Sequence, residues 1–337
     1  MSTVEDPIAY FLEDMAYHGR SQRTRDAYER VLRRFEASLD DGSDLGSISH
    51  RDCLAWLSEL RGGTAESTVA SYASYLHRFY AYMNEVGVFD ENPMTLVMEE
   101  LDEQITTDPN RRDISIPEME TFVQSVKHPL DRALIVLLLK SGIRAGEACN
   151  LDLRDIHISD APVPTGPVRP QLDGRPDSLF VSQNPQRGNE TNGEQRGSSN
   201  KRKRDTVIPI DGELRQVLID WLAIRPDPRS TAEPLFVSTA RNWGQRLTGS
   251  DVHHLVTSHT REQGWYKSGA GAGENVTPHY FRHFFTTHLR DRTGDRGIVK
   301  YLRGDVATDV IDTYTHNWGD RVREVYERNI YSLVDES

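Results

Sequence analysis

Apolar residues that recur at steps of three and four restrict the fold of this chain more than any other feature. In residues 7–39 this helical face consists of Tyr28, Val31, Leu32, Phe35 and Leu39. Ser21 is a suitable N-cap for that helix. Residues 66–86 carry a second such face, which Gly87 and Pro93 end. The spacing therefore predicts a small all-helical domain over residues 1–98.

A polar stretch without periodicity, residues 99–112, follows and is expected to be a linker. Beyond it, Arg132 to Lys140 is an apolar run too short to cross a membrane, and it predicts a buried helix. β-like runs at 178–182 and 206–210 indicate a small sheet. We therefore expect a mostly α protein with a small β-sheet, in which a helical domain precedes a mixed α+β domain over residues 113–337.

Further helical patterns occupy residues 212–223, 250–261, 279–292 and 319–330. The segment between the two β-like runs lacks large apolar residues and is predicted to be a mobile loop. The last helical pattern has one apolar face, made of Val322, Val325, Tyr326 and Ile330. That face can dock on a neighbouring protomer or pack on its own domain, and the pattern does not separate the two.

Charge gives a mixed indication of the partner. With 52 acidic and 40 basic residues the net charge is −12, which argues against a nucleic acid. Only six of the basic residues are lysines, however, and arginine is the side chain best suited to bidentate contact with phosphate. Few lysines and many carboxylates also resemble proteins of a salt-rich cytoplasm, although a solvated acidic surface explains the composition equally well.

The sequence has two cysteines, Cys53 and Cys149, which are far apart along the chain. Neither a disulfide framework nor a cysteine-ligated metal cluster is therefore expected. The N-terminus is acidic, unlike a secretory signal, and no apolar run is long enough for a bilayer. These features predict a soluble protein of a reducing cytoplasm.

Arginines form one stripe on the polar side of the first helical pattern, at positions Arg23, Arg30 and Arg34. This stripe either faces a phosphate backbone or is only solvated, and the spacing allows both.

Four separated segments of the second domain carry residues suited to chemistry. They are Ser141–Glu147 with Arg144, the basic turn Lys201–Arg204, Thr277–His283, and Asp312–His316 with Tyr314. Taken singly, each has an ordinary explanation, such as a local ion pair or a solubilising charge run. His279 and His283 have a spacing that can bind zinc, but no Glu occupies the protease position between them, so a packed pair is favoured over a metal site.

Taken together and in this order, the four segments resemble the tyrosine recombinases, also called phage integrases. In that family an arginine follows a Gly-hydrophobic pair, as Arg144 does, and a lysine precedes a Val-Pro-containing strand, as Lys201 does. A His-x-x-Arg-His motif opens a helix, as in residues 279–283, and the nucleophilic tyrosine lies further along within Tyr-Thr-His, here Tyr314. The N-terminal region looks like the family's helical core-binding domain, with Asn92-Pro93 at its end.

The resemblance implies a role for each residue. Arg144 and Arg282 would clamp the scissile phosphate of double-stranded DNA, because a five-coordinate phosphorus carries extra negative charge that fixed cations stabilise. Lys201, with Lys203 as the alternative, would protonate the leaving 5′ oxygen, and His279 would hydrogen-bond the phosphate. Tyr314 would form a covalent 3′-phosphotyrosine. No metal, ATP or other cofactor is implied, and the partners would be duplex DNA and further copies in a tetramer on paired sites.

One position departs from the family pattern. The family usually has His or Trp nine residues before the nucleophile, whereas Asp305 occupies that position here. Its carboxylate can orient an arginine or accept a proton, and the sequence does not decide between these roles. Two other functions stay open. One is a catalytically silent DNA-binding relative, for which Asp305 is the sequence hint. The other is a DNA-relaxing enzyme like the type IB topoisomerases, against which the N-terminal resemblance and the Tyr-Thr-His context argue.

Overall fold

The computed structural model of the chain describes residues 4–39, 44–100, 111–159, 161, 167–271, 273–305 and 319–334. The chain divides into two compact units, Met1–Asn110 and Arg111–Ser337. Each unit has its own hydrophobic core. No helix among the described residues is long and apolar enough to cross a membrane.

The described part of the first unit contains helices and no strand. Its helices are α1 (Pro7–Tyr17), α2 (Gln22–Glu36), α3 (His50–Arg61), α4 (Glu66–Glu85) and α5 (Met94–Glu100). Ser21 caps α2 as predicted, because its side chain accepts a hydrogen bond from the backbone N–H of Thr24. The apolar faces of the helices meet in one core, in which Phe35, Leu76 and Phe79 are fully buried.

Helix α5 shows that the first unit continues beyond Pro93. Asn92 accepts a hydrogen bond from the backbone N–H of Met94 at 3.0 Å and so starts a further turn of helix. Met94 and Val97 from this helix join the core. The first unit therefore continues past Asn92-Pro93, where the resemblance placed the end of the family's domain, and α5 ends two residues after the predicted bound of 98, because proline is well tolerated just before or at the first turn of a helix.

The second unit combines helices with a small sheet. Its helices are α6 (Ile116–Ser125), α7 (Pro129–Ser141), α8 (Ala145–Cys149), α9 (Gly212–Ile224), α10 (Gly249–Glu262), α11 (Pro278–Thr293), α12 (Arg296–Arg303) and α13 (Gly319–Asn329). The strands are β1 (Ile156–His157), β2 (Ser178–Val181), β3 (Glu190–Thr191), β4 (Glu194–Gln195) and β5 (Thr206–Pro209). This mixture confirms the predicted fold class.

Helix α7 is the centre of the second core. It is the predicted apolar helix, and every residue from Ala133 to Ser141 is buried. Pro129 begins the helix, and Gly142 ends it in the left-handed conformation that glycine adopts readily. The chain therefore leaves α7 sharply and turns into the segment that carries Arg144.

The sheet has the strand order β1-β2-β5, and both pairings are antiparallel. Leu179 of β2 lies opposite Ile156 on one side and opposite Ile208 on the other. All three are buried, so this sheet forms one side of the core and fixes the ends of the connection from β2 to β5.

That connection is not the irregular loop that its composition predicts. It contains the hairpin β3-β4, whose two-residue turn is Asn192-Gly193, both with positive φ. Arg196, directly after the hairpin, is fully buried and binds Asp152, with 3.0 Å between Nη2 and Oδ2. Arg246 binds the same carboxylate at 2.6 Å. The interpretation as a mobile loop is wrong because buried ion pairs, rather than apolar side chains, hold this segment.

Helix α13 packs on its own unit. Val322 and Tyr326 belong to the second core, and the Tyr326 hydroxyl donates to the backbone oxygen of Lys140 at 2.9 Å. After the helix, the Tyr331 hydroxyl donates to the backbone oxygen of Leu139. Of the two alternatives for the apolar face of this helix, the structure has the intramolecular one.

Candidate active site

Arg144 lies where α7 passes into α8. Its backbone N–H and its Nη1 both donate to the carboxylate of Glu147, at 2.9 and 3.0 Å. Glu147 is fully buried, whereas the Arg144 side chain is 28% exposed. The carboxylate therefore fixes the base of the guanidinium and leaves its outer edge accessible.

Arg282 reaches the same region from α11. Its Nη1 donates to the backbone oxygen of Gly142 at 2.6 Å, and its Nη2 donates to the backbone oxygen of Arg303 at 3.1 Å. These contacts join the turn after α7 to the end of α12. His279, one helical turn earlier on α11, is exposed. The helix therefore presents the histidine at the surface and holds the arginine below it.

Asp305 follows a tight turn at the end of α12. Gly304 has φ +69°, and the backbone N–H of Asp305 turns back to donate to the oxygen of Lys300 at 3.1 Å. The glycine is also required for packing, since a Cβ on Gly304 would lie 2.4 Å from Cγ of Arg202. This turn places the Asp305 carboxylate among the arginines.

The Asp305 carboxylate contacts three guanidinium groups. Its Oδ1 lies 3.3 Å from Nη2 of Arg144 and 3.1 Å from Nη2 of Arg282. Its Oδ2 lies 3.2 Å from Nη2 of Arg282 and 3.0 Å from Nε of Arg303. Of the two roles that the sequence left open for Asp305, these contacts support the orientation of arginines.

The basic turn Lys201–Arg204 is docked by its second residue. Arg202 is buried and donates to Oε2 of Glu147 and to the backbone oxygen of Leu302, both at 3.2 Å. The backbone N–H of Lys203 donates to the oxygen of Gly304 at 3.1 Å. Lys201 and Lys203 themselves are exposed. The two lysines therefore flank an arginine that is fixed between the Glu147 carboxylate and the end of α12.

Positive charge dominates this cluster, which we define as Arg144, Glu147, Arg202, Arg282, Arg303 and Asp305. Its four guanidinium groups face two carboxylates, which leaves two positive charges uncompensated. Burial, together with the charges of Arg144 and Arg303, lowers the pKa of Arg282 to about 9, so this residue stays charged at neutral pH. The outer face of the cluster is suited to bind an anion with more than one charge.

His279 experiences the same field. Partial desolvation, and then the positive charges of Arg111, Arg282, Arg144 and Arg303, lower the pKa of its imidazole. A neutral imidazole can donate from one ring nitrogen and accept at the other, so at neutral pH this side chain is suited to exchange a proton with a ligand.

The structure thus brings together Arg144, Arg282 and Asp305, and it places the loop of Lys201 and Lys203 against them. Tyr314 lies outside the described residues. Arg23, Arg30 and Arg34 are all exposed on α2, in the other unit. Among the described residues there is no group of three or more His, Cys, Asp or Glu side chains that could hold a metal ion.

Two members of the cluster were not predicted from the sequence, Arg202 and Arg303. Both lie close to predicted residues, Arg202 next to Lys201 and Arg303 two positions before Asp305. The sequence does show that these short turns contain arginines, but it does not show which arginine faces inward.

Two regions of the chain match known protein families. Residues 115–319 match the phage integrase family, and residues 8–85 match the phage integrase N-terminal SAM-like domain. The chain is 27% identical to tyrosine recombinase XerD of Pseudomonas aeruginosa over 98% of its own length and 99% of that protein. It is 26% identical to tyrosine recombinase XerA of Pyrococcus horikoshii, over 97% and 93% of the two chains.

Solved structures with the same fold include integrases bound to DNA. The Tn1549 transposon integrase in complex with transposon right end DNA has a TM-score of 0.64 at 18% identity, covering 96% of this chain and 98% of the integrase. A lambda integrase dimer bound to a COC′ core site has a TM-score of 0.61 at 15% identity, covering 98% of this chain and 79% of that one. The family match spans more than half of the sequence and includes the arginine cluster, and the chain therefore belongs to the phage integrase family, the tyrosine recombinases.

Proposed function

We propose that this protein is a site-specific recombinase that cuts and rejoins double-stranded DNA through a 3′-phosphotyrosine formed on Tyr314. The observation that carries the proposal is the convergence of Arg144 and Arg282, from separate segments, on one carboxylate at an accessible surface. Two guanidinium groups that bind the two oxygens of a carboxylate can also bind the non-bridging oxygens of a phosphodiester.

The clamp supplies the main rate enhancement in this mechanism. When the tyrosine oxygen attacks, negative charge grows on the non-bridging oxygens of a five-coordinate phosphorus. Arg144 and Arg282 stabilise that charge from positions that Glu147, Gly142 and Arg303 already fix, so little reorganisation is needed as the charge develops. Rotation of the Arg282 guanidinium is restricted, because three groups hold its two Nη atoms.

Proton transfer would involve the residues at the rim. In our proposal Lys201 gives a proton to the departing 5′ oxygen, and Lys203 is the alternative donor on the same turn. Docking of Arg202 holds both lysines at the edge of the cluster. His279 hydrogen-bonds the phosphate and, with its lowered pKa, serves as proton acceptor at neutral pH.

Covalent chemistry at Tyr314 makes the reaction reversible. The new P–O bond to tyrosine conserves the energy of the broken diester, and a 5′ hydroxyl from a second strand can attack it and release the tyrosine. The proposed reaction therefore needs neither ATP nor a metal ion. Exchange between two paired sites would require several protomers, and we propose a tetramer on DNA.

Recognition of the DNA is assigned to both units. The N-terminal unit is proposed as the core-binding domain, with the exposed arginines Arg23, Arg30 and Arg34 on the phosphate backbone.

The proposed compartment is a reducing cytoplasm, which fits the buried free thiols of Cys53 and Cys149.

Trapping of the covalent intermediate tests this function. The protein is incubated with a nicked duplex that carries the repeat flanking its gene, so that the small 5′ fragment diffuses away after cleavage. We expect a protein–DNA adduct with the wild-type chain and none with Tyr314→Phe, while binding of the intact duplex is unchanged. Binding without an adduct would identify a silent relative, and relaxation of supercoils without strand exchange would identify a topoisomerase.

A further inference from the structure

Arg303 lies on the solvent-exposed side of the arginine cluster. Its side chain is 30% exposed, as is that of Asp305, and its Nε is 3.0 Å from Oδ2 of Asp305. Its backbone oxygen accepts a hydrogen bond from Arg282. Among the described residues, no hydrogen bond starts from either Nη atom of Arg303, and its Nε, although close to Oδ2 of Asp305, is without a hydrogen-bond partner as well. Within the part of the chain that the structure describes, the ion pair with Asp305 is therefore the contact that orients this guanidinium, and its two terminal nitrogens have no partner there.

The identity of residue 305 removes a hydrogen-bond donor from the site. The family usually has His or Trp at this position, and both side chains donate hydrogen bonds. An ionised carboxylate only accepts them. Asp305 therefore cannot donate to a phosphate, whereas the guanidinium that it holds carries up to five N–H donors and a permanent charge.

The positive charge of Arg303 acts on two neighbouring side chains that are proposed to bind the phosphate, Arg282 and His279. It contributes to the lowered pKa values of Arg282 and His279. It also supplies one of the two positive charges that exceed the carboxylates of the cluster. A phosphodiester carries one negative charge in the ground state and approaches two at the five-coordinate stage, so the additional cation matters most in the transition state.

We propose that Arg303 is a third phosphate-binding guanidinium of this recombinase and that Asp305 is the positioning residue that gathers Arg144, Arg282 and Arg303 around one point. The ligand is the scissile phosphodiester, and the inference rests on the proposed function. Arg303 donates from its Nη atoms to a non-bridging oxygen, a contact that the Asp305 carboxylate cannot make.

Single-turnover cleavage of the nicked duplex tests the role of Arg303. Arg303→Ala should lower the rate by about 10²- to 10³-fold, as for the loss of one preorganised donor. Arg303→Lys, which keeps the charge but not the geometry, should cleave at a rate between those of Arg303→Ala and the wild type. Arg290→Ala, which removes an exposed arginine of the same unit, is the matched control and should cleave at the wild-type rate.

A neutral substrate separates phosphate binding from a structural effect. With a methylphosphonate at the scissile position, one non-bridging oxygen and its charge are absent, so less cation is needed. The rates of wild type and Arg303→Ala should then converge. The proposal is overturned if Arg303→Ala cleaves the normal diester at the wild-type rate, or if its defect is equally large on the methylphosphonate.

The positioning role of Asp305 has its own readout. Asp305→Asn removes the negative charge but keeps the shape, so DNA should bind at least as tightly while the cleavage rate falls about tenfold or more, because the arginines are no longer aligned. Faster cleavage by this variant would show that the carboxylate competes with phosphate, and would overturn the assignment. The adduct with wild type and its absence with Tyr314→Phe report on the overall function independently of these results.

Discussion

The side chains of Arg202 and Glu147 form an ion pair that is fully buried, with 3.2 Å between Nη2 and Oε2. Glu147 also binds Arg144, and Arg202 also binds the backbone of Leu302. This pair thus connects the turn of the two lysines with the segment of Arg144 and with the end of α12, all of which carry residues of the proposed mechanism.

Arg202→Ala should destabilise the second unit by about 3–5 kcal/mol, because it leaves the Glu147 charge buried without this partner. The free energy of unfolding in urea measures the effect. Arg290→Ala is the control, since its ion pair with Asp291 is exposed and such pairs contribute about 0–1 kcal/mol. The double variant Arg202→Met with Glu147→Leu should be less destabilised than Arg202→Ala alone, and a larger destabilisation would contradict the stated cause.

Gly304→Ala should lower both stability and the cleavage rate. The added Cβ would lie 2.4 Å from Cγ of Arg202, and the alanine would have to adopt the positive φ of this position. The turn before Asp305 must therefore shift. Gly294→Ala has the same φ cost, at +65°, but meets nothing within 4 Å. Subtracting its effect isolates the clash with Arg202, which is measured by thermal unfolding and by single-turnover cleavage. Equal effects of the two substitutions would exclude a role for this close approach.

His279 should titrate below its ordinary pKa of 6.5. Because the folded-state pKa is lowered, the unfolded chain binds the proton first as the pH falls, and stability decreases between pH 6.5 and the folded-state pKa. The Hε1 resonance of His279, assigned with His279→Gln, gives the value. Arg111→Ala should raise the pKa toward 6.5, whereas Arg290→Ala should not change it. A folded-state pKa at or above 6.5 would contradict the effect ascribed to burial and the arginines.

Lys201 and Lys203 can be distinguished by the leaving group. Alanine at the lysine that acts as general acid should slow cleavage of a normal duplex by about 10²- to 10⁴-fold, the usual range for such catalysis. A 5′-bridging phosphorothiolate, whose sulfur leaves without protonation, should restore the rate of that variant. We expect this behaviour for Lys201→Ala, and Lys203→Ala serves as the matched comparison. Rescue of Lys203→Ala alone would reassign the role.

DNA affinity should fall steeply with salt, because binding of arginines to phosphates releases counterions. Replacing Arg23, Arg30 and Arg34 together by alanine should reduce the slope of log K against log salt by about one for each phosphate that the stripe neutralises. Arg51→Ala, an exposed arginine on α3, is the comparison within the same unit. An unchanged slope in the triple variant would show that the stripe is only solvated.

Sequence patterns predicted most of the local structure. Helices α4, α9, α10 and α11 begin and end within one residue of the predicted bounds, because apolar periodicity and end signals depend on neighbouring residues. The buried helix α7 and strands β2 and β5 were predicted for the same reason. The hairpin at Asn192-Gly193 was missed although its turn signal is strong, because the surrounding segment has no large apolar side chains.

The sequence by itself determined which residue types the chemistry depends on, namely arginines, a histidine and lysines in a characteristic order. It also determined the family to which the chain belongs. Tertiary structure alone decided that Asp305 gathers three arginines, that Arg202 rather than a lysine of its turn is buried, and that α13 packs on its own unit. The reason is that an ion pair between distant segments depends on where the folded backbone brings them, and an arginine is the same letter in the sequence whether it faces solvent or a buried carboxylate.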